Sequence, residues 1–142
     1  MKKTLVITLL ALVALLTGCN QGTSSEDIAK IAYKWEKARF DKDYKKQQEM
    51  IYEKGSYEVD KKAEKKDSGL KYDNMSFEIY FDEKNDQYYV FTEFKNPQGE
   101  NNVDDELLFR KKDNAWKLDQ DKEINRDQIK KELEREACIN CK

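Results

Sequence analysis

"NMSFEIYFDEKNDQYYVFTEF", residues 74–94, is where the hydrophobic period of the chain changes to two. Phe77, Ile79 and Phe81 alternate with Glu78, Tyr80 and Asp82, which predicts a strand with one buried face. Residues 83–86 (Glu-Lys-Asn-Asp) form a turn, and residues 88–94 predict a second strand. That strand carries aromatic or β-branched residues on both sides, so both of its faces should be covered.

Working towards the C-terminus, residues 96–104 are the longest loop signal, with Pro97 and Gly99. Leu107, Leu108 and Phe109 predict a third strand, Lys112-Asp113-Asn114 a tight turn, and Trp116-Lys117-Leu118 a fourth strand. After Asp121 the pattern turns helical again. Asn125 and Gln128 are capping residues with Ile124 as a hydrophobic staple. Ile129, Leu133 and Ala137 fall at four-residue steps, a narrow stripe expected to pack on the domain.

Working towards the N-terminus, the period is helical. Thr23-Ser24-Ser25-Glu26 reads as a capping box, and Glu26 and Asp27 suit the positive end of a helix dipole. Ile28, Ile31, Ala32, Trp35 and Ala38 then line one face. The stripe breaks at residues 40–44. A second helix is predicted from Tyr44 to about Glu53, carrying Met50 and Ile51, with Gly55 as its stop. Residues 58–71 alternate lysines (Lys61, Lys62, Lys65, Lys66) with Glu58, Asp60, Glu64 and Asp67, the pattern of a solvated helix with i,i+4 pairs. The expected fold is therefore α+β: N-terminal helices packed on a curved antiparallel sheet of about four strands, plus a C-terminal helix.

The chain has 142 residues, 39% of them charged, and opens with an apolar run. Lys2 and Lys3 precede an apolar region of 12 residues, 5–16, interrupted only by Thr8, and then Thr17, Gly18 and Cys19. A membrane-spanning helix needs about 20 apolar residues, so this run suits the h-region of a secretory signal. Leu16-Thr17-Gly18-Cys19 resembles the lipobox of bacterial lipoproteins. The resemblance implies a diacylglycerol on the Cys19 thiol and cleavage just before it. Two or more acyl chains, at about 0.8 kcal/mol per buried CH₂, then hold the chain on the extracytoplasmic face of the cell membrane. The expected organisation is a signal peptide at 1–18, a lipidated polar tether at 19–25, an α+β domain at 26–121, and a helix with a Cys-x-x-Cys tail at 122–142.

Removing the signal leaves 124 of the 142 residues, one domain's worth, with 25 basic side chains against 29 acidic. The two signs are interspersed, so no nucleic-acid face is expected. The 2 Trp, 8 Tyr and 6 Phe make a compact core feasible. There is no histidine, which excludes Ser-His-Asp and Cys-His catalysis and His-containing zinc sites. No cofactor and no metal site are expected, and no catalytic constellation is visible. The Lys, Glu and Asn richness with little Gly or Pro points to an AT-rich genome, as in many Gram-positive bacteria.

"KWEKARFDKDYKKQQEMI" (34–51) is similar to the helix-turn-helix opening of the NTF2-like superfamily, and "DDELLFRKKDNAWKLDQD" (104–121) to its closing hairpin. A cystatin-like domain would satisfy most of the same constraints. The NTF2-like resemblance implies a cone-shaped domain whose sheet curls around a pocket, and no single activity. Trp35, Tyr80, Tyr89, Phe91, Leu108 and Trp116 are then core or pocket lining. The superfamily's ketosteroid isomerases use a carboxylate base with Tyr and Asp, for which Tyr80 and Tyr89 are the tyrosines at hand. Such an enzyme predicts a carboxylate with a strongly raised pKa.

Cys138 and Cys141 close the sequence in "EACINCK". They are expected at the end of a helix, where the dipole disfavours thiolate, with no βαβ context for redox chemistry. A local disulfide, a bridge between two copies and a redox pair all fit the spacing, in that order of preference. The expected function is a lipid-anchored binding or interaction module, non-catalytic, with a small ligand or an unknown envelope protein as partner. In the accessory-subunit alternative, within cell-wall or conjugation machinery, the C-terminal stripe and the acidic loop at 101–106 are the contact surfaces.

Overall fold

A computed structural model describes residues 22–55 and 61–142. The stretch expected to be a lipobox, Leu16-Thr17-Gly18-Cys19, lies outside the described residues. Helix α1 (Ser25–Phe40) is followed by α2 (Tyr44–Met50), a 3-10 turn (Tyr72–Asn74), and strands β1 (Met75–Asp82), β2 (Gln87–Lys95), β3 (Asn102–Lys112) and β4 (Ala115–Leu118). A short helix α3 (Arg126–Glu132) and a last strand β5 (Arg135–Ile139) complete the chain. The five strands form one antiparallel sheet in the order β4-β3-β2-β1-β5.

α1 starts where a capping box forms, one residue along from the expected pairing. The Ser24 hydroxyl accepts from the Asp27 N–H, and the Asp27 carboxylate accepts from the Ser24 N–H, both at 3.1 Å. The helix ends at a tight turn in which Lys42 takes φ +59°. Asp43 then caps α2 by accepting from the Lys46 N–H at 3.1 Å. α2 is shorter than expected, and Gly55 turns the chain only later, at φ +89°.

The lysine-rich stretch is not helical over the described residues 61–71. Its charges reach across to the α1–α2 turn instead of along a helix. Lys65 pairs with Asp43 at 2.7 Å, and Asp67 with Lys37 at 2.8 Å. The Ser68 N–H donates to Asp41 at 2.7 Å. Gly69, at φ +75°, then turns buried Leu70 into the core.

Register explains the two-faced sheet. Met75, Phe77 and Ile79 of β1 lie beside Phe94, Thr92 and Val90 of β2, and Val90 lies beside Leu107 of β3. This inner face meets Ile28, Ala29, Ala32 and Trp35 of α1 to form the core. The β3–β4 connection is a two-residue turn with Asp113 and Asn114 both at positive φ, the geometry whose twist matches a hairpin.

The C-terminal stripe is corrected. α3 stops at Glu132, and Leu133 is already extended. Ala137 lies on β5 opposite Ile79, and Ile139 opposite Phe77. Ile129, Leu133 and Ala137 therefore do not share a helix. The exposed edge of β1 offers unpaired backbone groups, and pairing them outweighs the high helix propensity of Glu, Arg and Ala. The sheet thus has five strands instead of four. The 122–142 segment is built into it, and no helix among the described residues is long and apolar enough to cross a membrane.

Candidate functional site

Glu36 follows Trp35 on α1, one turn after Ala32, so the stripe that buries the tryptophan buries the carboxyl too. Its side chain is 0% exposed. Asp105 of β3 projects from the inner face beside Thr92 of β2. Arg39, one turn beyond Glu36, ties the two acids together: its Nη2 lies 2.8 Å from Glu36 Oε2 and also bonds Asp105. Asp105 and Arg39 are each a little over one quarter exposed, so the cluster is closed at Glu36 and opens to solvent on the other side.

The cluster is short of donors. Neither Glu36 oxygen receives an aligned hydrogen bond among the described residues, and the buried Thr92 hydroxyl lacks a partner there as well. Burial therefore pushes the Glu36 carboxyl up to about 8, against the pull of Arg39 and with the push of neighbouring Asp105. Glu36 is a neutral acid at pH 7, able to donate to the Asp105 carboxylate. The arrangement can hold and release one proton.

The outer face is treated differently. α3 lays Arg126 and Lys130 over the Phe91 ring, 4.7 and 5.7 Å from its centre. Arg126 pairs with Asp104 at 2.5 Å and Glu106 at 3.0 Å, and Lys130 with Glu78 at 3.1 Å. The Tyr80 hydroxyl donates to Glu78 at 3.0 Å. Burial pulls the Glu78 carboxyl up, but the bonds from Lys130 and Tyr80 outweigh it and hold the group below the ordinary range. Beyond α3 the same face carries an open groove of about 550 Å³, bordered by Ser76, Glu78, Glu93 and Arg135.

The residues singled out in the sequence do not converge. Trp35 is core, whereas Tyr80, Phe91 and Leu108 are buried on the outer side of the sheet. Tyr80 and Tyr89 lie on the face opposite Glu36, so they make no site with it; Tyr89 accepts from Gln87 at 2.8 Å. Trp116 is half-buried at the end of the sheet, edge-on to Tyr88. Residues 101–106 are mostly strand, with Asp104, Asp105 and Glu106 all paired inside the domain, so they are not a free acidic loop. Cys138 lies within β5 and Cys141 just beyond it, so the pair does not end a helix; the two are joined as a disulfide, with Cα atoms 5.7 Å apart.

Glu36, Arg39 and Asp105 escaped the sequence reading. The available signal was Glu36 standing at i+4 from Ala32 and i+7 from Ala29, inside a stripe that is otherwise apolar. Compared with known proteins, the chain matches no family model, no curated protein and no solved structure.

Proposed function

We propose that this chain is a lipid-anchored, extracytoplasmic interaction module without catalytic activity. The observation that carries it is Leu16-Thr17-Gly18-Cys19 at the end of a short apolar run, followed within six residues by a folded domain. The finer fold assignment is NTF2-like. It draws support from two N-terminal helices on one sheet face and from a closing β3–β4 hairpin that carries Trp116. The inner face is filled by Trp35, Phe77, Val90 and Phe109, so the reading favours a protein partner on the outside over a small molecule within. An accessory role in an envelope complex is the more specific form of this function. Its contact surface is then the open groove on the outer face, since the acidic stretch and the C-terminal stripe are used internally.

The test is the intact mass of the mature protein from membranes of the source organism. The expected chain begins at Cys19 and carries a thioether-linked diacylglycerol. A chain cut elsewhere, or one with a free Cys19 thiol, overturns the proposal.

One observation favours an isomerase-like enzyme as a second reading: a carboxylic acid kept neutral at pH 7. Full burial of Glu36 and the placement of both tyrosines on the other face weigh against it. An NMR titration of Glu36 that responds to added ligand supports this reading, and one that does not removes it.

A further inference from the structure

The start of the described chain is fastened to one end of the sheet. Trp116 Nε1–H donates to Thr23 Oγ1 at 2.7 Å, and the Tyr88 hydroxyl donates to the Thr23 carbonyl at 3.3 Å. The capping box at Ser24 fixes the next residue. Thr23 is thus part of the domain, which shortens the tether expected at 19–25. Cys19 precedes Thr23 by four residues, and a fully extended chain covers at most about 14 Å in that span.

The end of the sheet that holds Thr23 carries the β1–β2 and β3–β4 turns. The opposite end carries the β2–β3 loop, where Gln98 Nε2 donates to the Phe40 carbonyl at the far end of α1. A 16-residue helix separates the two ends by about 24 Å. A 14 Å leash cannot let both ends visit the membrane equally.

We infer that the domain stands on the lipid headgroups on its β1–β2 and β3–β4 turns, and presents the β2–β3 loop to the exterior. This inference rests on lipidation at Cys19. The turns and the adjoining end of β3 carry both signs of charge, with Lys84, Lys111 and Lys112 among Glu83, Asp86 and Asp113, so the covalent leash sets the orientation and not charge attraction. The groove bordered by Ser76 and Glu93 begins at the outward end, where β1 starts and β2 finishes, and is left free for a partner.

The experiment uses the full lipidated protein, with its native disulfide intact, on vesicles containing an acceptor-labelled lipid. Lys84→Cys in the β1–β2 turn and Glu100→Cys in the β2–β3 loop, both exposed, each receive a donor dye. Transfer from position 84 is expected to exceed that from position 100 at least twofold, unchanged between low and high salt. A third protein inserts about 20 Gly/Ser residues between positions 20 and 23, a coil of roughly 25 Å root-mean-square length. It should stay on the vesicles and lose the contrast. Vesicle-bound protein with equal transfer from both positions, or more from 100, overturns the orientation while leaving lipidation standing. Protein that does not float with vesicles overturns lipidation, and the orientation with it.

Discussion

The two faces of this sheet handle buried charge in opposite ways. On the inner face α1 covers Glu36 completely and supplies one arginine, shared with Asp105. On the outer face α3 brings two cations to three carboxylates that all keep some contact with water. Burial raises the inner acid, whereas the bonds from Lys130 and Tyr80 hold Glu78 below the ordinary range. What decides is the number of donors per desolvated oxygen, because an ion without them loses several kcal/mol of hydration that nothing returns.

The sharpest way to break the comparison is to empty the inner face. Phe109 is 0% exposed beneath the helices. Phe109→Ala should cost about 3–5 kcal/mol, read as a lowered urea midpoint. A loss near that of a surface change would mean that the inner face is not the main core.

pH sharpens it next. Folded Glu36 holds its proton up to about 8, whereas an unfolded glutamate releases it near ~4.3. The stabilisation linked to that proton is complete below ~4.3 and is lost as pH rises towards 8, by up to ~1.4 kcal/mol per pH unit. No histidine titrates in this window. Thermal melts at pH 5 and pH 8 should show a clear fall for the wild type and a nearly flat response for Glu36→Gln. That variant keeps a donor for Asp105 and should be the more stable protein at pH 8. Glu78 runs the other way: its contribution is present above ~4.3 and lost as pH falls, so the two faces pull the stability maximum from opposite sides.

The smallest effect belongs to the outer ion pairs. Lys130→Ala should cost under about 1 kcal/mol, and raising salt should shrink the difference. A cost of several kcal/mol, insensitive to salt, would make the outer face as buried as the inner one and end the contrast.

Alternation made β1 and β2 legible, and Asp113-Asn114 marked the last hairpin, because period and turn chemistry are local properties of the chain. β5 was not legible. Ala137 and Ile139 alternate with Glu136 and Cys138, yet Ala137 also extends the helical stripe of Ile129 and Leu133. Only the open edge of β1 chooses between them. Residues 61–71 failed for a related reason: Asp67 has a helical partner in sequence at Lys71 and a better one in space at Lys37, while Lys65 finds Asp43.

By itself the sequence determined the α+β class, the capped first helix and the first hairpin, and it carries Leu16-Thr17-Gly18-Cys19, on which the proposed membrane anchor rests. Tertiary structure alone decided that Glu36 is a neutral acid, that Arg126 and Lys130 sit over Phe91, and that Thr23 is fastened beneath Trp116. The reason is physical. Periodicity and capping depend on neighbours within a few residues, whereas desolvation and charge pairing depend on which distant segments close over a group. For Glu36 those segments are β2 and β3, more than fifty residues away.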